Sequence, residues 1–279
     1  MSQRGGRQVA VVTGAESGAG HLAAWSLARR GADVLLCSRD ADAADALGRR
    51  LRREPGAGEV TALAVDPVAP ESVHRVASYA ADLGAGRVDR LVLHTADDAS
   101  RAPGQVPCYP GLFALTGALY PLLLRSQDSV VLSVCHPAHR LARTGKSARP
   151  GDSGRPVGRA DDELLKVLFA AELDRRVRLA GHRVSVVAAY VPGALDVLWS
   201  RGRGRWGSRG TLPALERSSA VTRALLAPDL VGGTLYGSRW VPRERVPRPI
   251  TRGLHRESLA RASAMWSDAE ALTGLRFLT

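Results

Sequence analysis

The chain has 279 residues, 45% of them hydrophobic, which is enough to bury the core of one α/β domain of ordinary size. It has no apolar run of about 18 residues and no signal-peptide pattern, so we expect a cytoplasmic protein without a membrane partner. The net charge is +12, but every basic residue except Lys146 and Lys166 is arginine. This skew is typical of GC-rich genomes, so nucleic acid is not an expected partner. The widely spaced Cys37, Cys108 and Cys135 predict neither a metal site nor a disulfide framework.

Strand and helix patterns alternate along the first half of the chain, which predicts βαβ units and a parallel sheet. Strands are predicted at 9–12, 34–37, 60–65, 91–93 and 130–134, and helices at 22–28, 41–53, 71–83 and 112–124. The second half adds a helix at 164–173, a strand at 184–189, a helix after 218, a short strand at 234–236 and a closing helix at 255–272.

Two stretches, 137–160 and 194–218, lack apolar periodicity and are predicted to be irregular loops on the substrate side. No internal repeat or second domain is evident. The sequence therefore predicts one α/β domain over 1–279, a Rossmann-type doubly wound parallel sheet of about seven strands with helices on both faces.

The most specific motif is Thr13-Gly14-Ala15-Glu16-Ser17-Gly18-Ala19-Gly20, which follows the first predicted strand and opens the first helix. Glycines at such a turn let the backbone approach a pyrophosphate, whose charge is stabilised by the N–H groups at the helix N-terminus. The motif predicts a dinucleotide-binding turn formed by Gly14, Ser17, Gly18 and Gly20, although a purely structural tight turn is the alternative.

At this motif the chain resembles the short-chain dehydrogenase/reductase superfamily, whose usual form is TGxxxGxG. The resemblance continues at Arg39, which looks like the family's NADP-selecting arginine, and at Asp66, which matches the acid that holds the adenine. Pro192-Gly193 matches the turn beside the nicotinamide. Segments 167–173 and 259–275 are similar to the retinol-dehydrogenase-like branch. The resemblance implies an NADP(H) site.

Some residues expected to contact the cofactor depart from the family pattern. The family's Asn-Asn-Ala-Gly is replaced by His94-Thr95-Ala96-Asp97, in which Ala96 keeps the cofactor-binding position while Asp97 adds a negative charge in the cleft. Glu16 and Val197 also replace residues that favour the cofactor. Arg39 and the glycines argue for a retained nucleotide, and these departures argue against it, so both outcomes stay open.

The family's catalytic pair is a tyrosine followed four residues later by a lysine, in which the lysine lowers the pKa of the phenol. Neither lysine of this chain follows a tyrosine by four residues. The resemblance instead places Arg159 at the tyrosine position, Glu163 at the lysine position and His136 at the catalytic serine. It also places Cys108 where the family's asparagine belongs.

From this set we expect a repurposed, non-redox acid/base enzyme of the cyclase, dehydratase or isomerase type, acting on a small secondary metabolite. His136, Arg159 and Glu163 would carry the chemistry, with Cys108 or Tyr190 as further candidates. The competing interpretation makes Arg159 and Glu163 a solvent-exposed i,i+4 pair without a catalytic role.

Two other functions remain open at this point. One is a non-catalytic NADP(H)-binding or dimer-partner pseudoenzyme, and the other is an atypical NADP-dependent oxidoreductase with an unusual proton donor. The resemblance also implies a homodimer or homotetramer formed through the helices predicted at 112–124 and 164–173.

Overall fold

The computed structural model describes residues 6–95, 109–137, 159–191, 212–213, 216, 219–228, 230–237, 246–252, 254 and 256–278, without the side chains of Arg159 and Arg256. Cys108, Ala96, Asp97, Pro192, Gly193 and Val197 lie outside these residues, as does most of the two predicted loops. All structural statements below concern the described part of the chain.

Eight strands form one sheet in the order β3-β2-β1-β4-β5-β6-β7-β8. The strands are β1 (Val9–Thr13), β2 (Asp33–Ser38), β3 (Val60–Ala64), β4 (Arg90–Leu93), β5 (Ser129–Cys135), β6 (Val184–Tyr190), β7 (Thr234–Tyr236) and β8 (Arg248–Pro249). All neighbouring pairs are parallel except β7 with β8, which are antiparallel. The predicted α/β sheet is confirmed. The estimate of about seven strands missed β8, whose two residues are too few to show a periodicity.

Along the described chain, helices alternate with strands from β1 to β7, as the pattern predicts, and a last helix follows β8. They are α1 (Gly18–Ala28), α2 (Ala41–Leu51), α3 (Pro70–Leu83), α4 (Tyr109–Leu123), α5 (Arg159–Leu179), α6 (Ala220–Leu226) and α7 (Arg256–Thr273). No helix in the described ranges is long and apolar enough to cross a bilayer.

Successive residues of the central strands point to opposite faces of the sheet, where two separate apolar cores form. Val9 and Val11 of β1 pack with residues of α3, α4, α5 and α7, whereas Ala10 and Val12 pack with residues of α1, α2 and α6. Burial on both faces explains why the parallel strands read as continuous apolar runs rather than alternating ones.

The apolar faces of α4 and α5 pack against α7 of the same chain. The Trp266 ring of α7 lies edge-on to Phe113 of α4, with centroids 4.9 Å apart, and stacks on Phe169 of α5 at 6.0 Å. The homodimer or homotetramer expected through α4 and α5 stays a prediction.

The strand order places a crevice at the carboxyl ends of β1 and β4. The chain runs from β1 outward through β2 to β3 and then returns to β4 on the other side of β1. The connections that follow β1 and β4 therefore turn to opposite faces and leave a gap, where ligands of doubly wound sheets bind. Three of the segments described below, the turn after β1 and the residues after β4 and β5, lie at this edge.

Candidate functional site

The turn after β1 can be built only with glycine at two positions. Gly14 has a positive φ of 61°, and a Cβ there would lie 2.7 Å from the backbone oxygen of His94. A Cβ at Gly20 would lie 2.2 Å from the backbone oxygen of Gly14. The first turn of α1 is thereby drawn tightly against the end of β1, as the motif predicts.

Ser17 caps α1 and fixes this turn. Its hydroxyl donates to the Gly14 backbone oxygen at 2.8 Å and accepts from the Gly20 N–H at 3.2 Å. The first N–H groups of the helix, on Gly18 and Ala19, have no acceptor within the helix itself. The first turn carries no acidic residue, so the N-terminus of α1 offers N–H donors and the positive end of a helix dipole to an anion.

His94 joins the end of β4 to the end of β1. Its N–H donates to the Thr13 hydroxyl at 2.8 Å, and that hydroxyl donates to the His94 backbone oxygen at 2.7 Å. The residue is only 7% exposed, and neither ring nitrogen has a hydrogen-bond partner. Burial, helped by the positive charge of Lys166, lowers the pKa of His94 to about 3, so the imidazole is neutral at physiological pH.

Glu163 of α5 reaches the end of β5 from inside the core. Its Oε2 accepts from the His136 backbone N–H at 2.6 Å, and its Oε1 accepts from Lys166 Nζ at 2.7 Å. Glu163 and Lys166 are 3% and 4% exposed. The structure brings Glu163 to the backbone of His136, and the catalytic roles of both residues stay predictions. The interpretation of Glu163 as part of a solvent-exposed pair is wrong, because its carboxylate is buried and pairs with Lys166.

Tyr190 ends β6 and is fully buried. It lies beside Cys135 in the register of β5 and β6, and its hydroxyl accepts from Arg248 Nη2 of β8 at 3.1 Å. Its side chain packs in the core shared with α3, α4, α5 and α7. The hydroxyl and the ring of Tyr190 thus both contact Arg248 of β8.

Arg39 and Asp66 stand at the same edge of the sheet, after β2 and β3. Both are exposed. Asp66 Oδ1 accepts from the Val68 N–H at 3.1 Å, and Asp40, directly after Arg39, caps α2 by accepting from the Ala43 N–H at 3.0 Å. The Asp66 side chain is thus held by a short turn after β3, and Arg39 directly precedes the residue that caps α2.

Two residues of this edge were not chosen as site residues from the sequence. Lys166 was set aside because no tyrosine precedes it by four residues, yet it lies three residues after Glu163, close enough on a helix for the two side chains to meet. His94 was read only as a departure from the family pattern. A buried ionisable residue directly after a central strand was the signal that could have identified it.

Comparison with known proteins extends the resemblance. Residues 8–99 match the family model for short chain dehydrogenase. Over 200 residues the chain is 35% identical to dehydrogenase/reductase SDR family member 13 of Bos taurus, covering 68% of this chain and 52% of that protein. It is 29% identical over 188 residues to retinol dehydrogenase 11 of Mus musculus, covering 62% of this chain and 58% of that protein. The chain spans little more than half the length of these relatives.

Solved structures share the fold. An uncharacterized protein from Mycobacterium Paratuberculosis superposes with a TM-score of 0.67 at 28% identity, covering 97% of this chain and 94% of that chain. L-sorbose reductase from Gluconobacter frateurii, solved with NADPH and L-sorbose, superposes with a TM-score of 0.53 at 19% identity, covering 74% and 77%.

The expectation of a repurposed, non-redox cyclase, dehydratase or isomerase is wrong. The family match and the relatives are dehydrogenases and reductases, which favours the oxidoreductase alternative instead. Replacement of the catalytic residues does not by itself indicate non-redox chemistry, because the glycine turn and the sheet agree with the family. Residues 8–99 therefore match the short-chain dehydrogenase family, and the chain is similar to retinol dehydrogenases and to SDR family member 13.

Proposed function

We propose that the chain is an NADP(H)-dependent oxidoreductase that interconverts an alcohol and a carbonyl on an apolar substrate. The observation that carries the proposal is the cradle after β1, where Gly14 and Gly20 leave no room for a Cβ and Ser17 caps the N-terminus of α1. Such a cradle has the shape and the N–H donors that a pyrophosphate needs.

The residues at this edge fit a phosphorylated dinucleotide. Gly14, Ser17, Gly18 and Gly20 would hold the pyrophosphate, and Asp66 would hold the adenine. Arg39 would pair with a 2′-phosphate, which a guanidinium can bind through two parallel hydrogen bonds. Ala96, Pro192 and Gly193 are proposed to complete the site on the nicotinamide side. Bound there, NADPH would supply the hydride that reduces a carbonyl carbon.

The substrate class is inferred from relatives. Retinol dehydrogenase 11 and retinol dehydrogenase 13 carry retinol in their names, and retinol is an apolar alcohol. L-sorbose reductase and RhlG, solved with NADPH and with NADP, support the choice of a phosphorylated nicotinamide nucleotide. We therefore choose retinal and retinol as the probes for this chain.

Calorimetric titration of the purified chain with NADPH and NADH tests the nucleotide site, and loss of NADPH absorbance in the presence of all-trans-retinal tests the reaction. We expect NADPH to bind more tightly than NADH, and retinal to be reduced. Absence of NADPH binding at millimolar concentration would refute the proposal. Binding without any hydride transfer would instead favour a nucleotide-binding pseudoenzyme.

A further inference from the structure

The His94 side chain has an unusual environment for a buried polar group. Both of its ring nitrogens are enclosed by protein and make no hydrogen bond, although the residue's backbone is firmly bonded to Thr13. Burying an imidazole without partners is costly, so native proteins rarely do so unless a water, an ion or a ligand completes the bonds. The ring lies against the glycine cradle, since its Cδ2 would be 3.1 Å from a Cβ on Gly14.

Lys166 brings a positive charge to the same place. Its ammonium is held by Glu163 Oε1, and the other oxygen of that carboxylate is occupied by the His136 N–H. The Lys166 backbone oxygen in turn accepts from the Ser133 hydroxyl of β5 at 3.3 Å. The lysine is thus fixed at its backbone and at its ammonium, and its positive charge is close enough to act on His94.

These groups determine what kind of ligand atom would fit. A neutral imidazole offers one N–H donor and one lone pair, and an ammonium offers only donors. The Lys166 charge repels a cation but attracts an oxygen that carries or develops negative charge. Of the groups in the proposed reaction, the carbonyl oxygen becomes negative as hydride adds to the carbon.

We propose that His94 and Lys166 form the binding site for the substrate's carbonyl oxygen at the carboxyl ends of β4 and β5. The inference rests on the proposed function for the identity of the substrate. His94 donates a hydrogen bond to this oxygen, and Lys166 stabilises the negative charge that it develops as hydride adds to the carbon. The alkoxide then takes a proton from solvent to become the alcohol. Glu163 is a positioning residue, because it acts by holding Lys166 in place.

The test uses retinoate, whose carboxylate presents a charged oxygen on the same apolar body as retinol. Binding of retinoate and of retinol to the NADP⁺-saturated protein is measured by quenching of tryptophan fluorescence. We expect Lys166→Met to weaken retinoate binding at least tenfold and retinol binding less than threefold. Lys166→Arg, which keeps the charge, is the matched control and should retain most of the retinoate affinity.

His94 is tested in the wild-type chain, because a loss of binding in a His94 variant could also result from misfolding. In the wild-type chain labelled with ¹⁵N-histidine, saturating retinoate should shift the ring resonances that His94→Asn removes. Unchanged His94 resonances, equal losses for retinoate and retinol in Lys166→Met, or no retinoate binding to the wild-type chain would each overturn the inference.

The two proposals fail in different ways. If NADPH does not bind, the proposed function fails, while the retinoate measurements can still be made on the nucleotide-free chain and still report on His94. If Lys166→Met binds retinoate like the wild type and reduces retinal with unchanged kcat/KM, the oxidoreductase function stands and the oxygen site fails.

Discussion

Acid should destabilise this protein through two buried histidines. His21 in α1 and His94 after β4 are both buried, and burial lowers the pKa of each from 6.5 to about 3, helped by Arg50 and Lys166 respectively. Because the folded pKa lies below that of the unfolded chain, the unfolded chain takes up protons first as the pH falls. The stability that neutral histidine provides is therefore complete above about pH 6.5 and is lost toward pH 3.

The size of the effect follows from the shift. One pKa unit corresponds to about 1.4 kcal/mol, so lowering the pH from 8 to 5 should cost about 2 kcal/mol for each histidine, and about 4 kcal/mol for the pair. This is a large part of the roughly 5–15 kcal/mol by which folded domains are stable. Urea denaturation at pH 8 and pH 5, followed by circular dichroism, measures the free energy of unfolding at both values.

Single variants show how much of the stability lost between pH 8 and pH 5 comes from the buried histidines. His94→Asn introduces the residue that the family pattern has at this position, and it should reduce the loss between pH 8 and pH 5 by about 2 kcal/mol. His74→Asn is the matched control, because His74 is exposed on α3, and it should leave the loss unchanged. A His94→Asn variant as acid-sensitive as the wild type would refute the reasoning.

Three further predictions concern the cradle and its neighbours. Gly20→Ala places a methyl group 2.2 Å from Gly14 O and should cost about 1–3 kcal/mol in urea denaturation. The control is Gly48→Ala in α2, whose methyl group would meet the Arg52 side chain at 3.4 Å and Ala62 Cβ at 3.8 Å, and it should stabilise by up to about 1 kcal/mol. Similar changes in both variants would contradict the cradle. Ser17→Ala removes the cap of α1 and should cost about 1 kcal/mol in the same assay, so an unchanged midpoint would argue against the cap. Arg39→Ala should weaken NADPH binding about tenfold in calorimetry and leave NADH binding unchanged; equal losses would exclude the 2′-phosphate contact.

Much of the fold follows from local patterns. Strands buried on both faces read as short apolar runs, and the strand at 234–236 was located at its observed bounds. The helix predicted at 164–173 proves to be α5, which begins at Arg159 and ends at Leu179. Its first turn is rich in acidic residues, and its last turn carries arginines, so the apolar pattern marks only its central part.

The candidate site was only partly predictable. The cradle could be predicted because its geometry depends on residues close together in the sequence, and the structure confirms the tight turn there. The partner of Glu163 could not be predicted from the sequence. On a helix, Arg159 at i,i+4 and Lys166 at i,i+3 are both close enough to pair with it, and only packing against β5 decides between them. The lack of partners for His94 depends on contacts between β1, β4 and α5, which no local pattern reports.

Transfer of deuterium from 4-deuterated NADPH tests the central claim most directly. The chain is mixed with the two 4-deuterated epimers of NADPH separately and with all-trans-retinal, and the retinol is analysed by mass spectrometry. An NADP(H)-dependent oxidoreductase should place deuterium on the carbinol carbon from one epimer and not from the other. Retinol formation without label from either epimer, or no retinol at saturating nucleotide, would contradict the account.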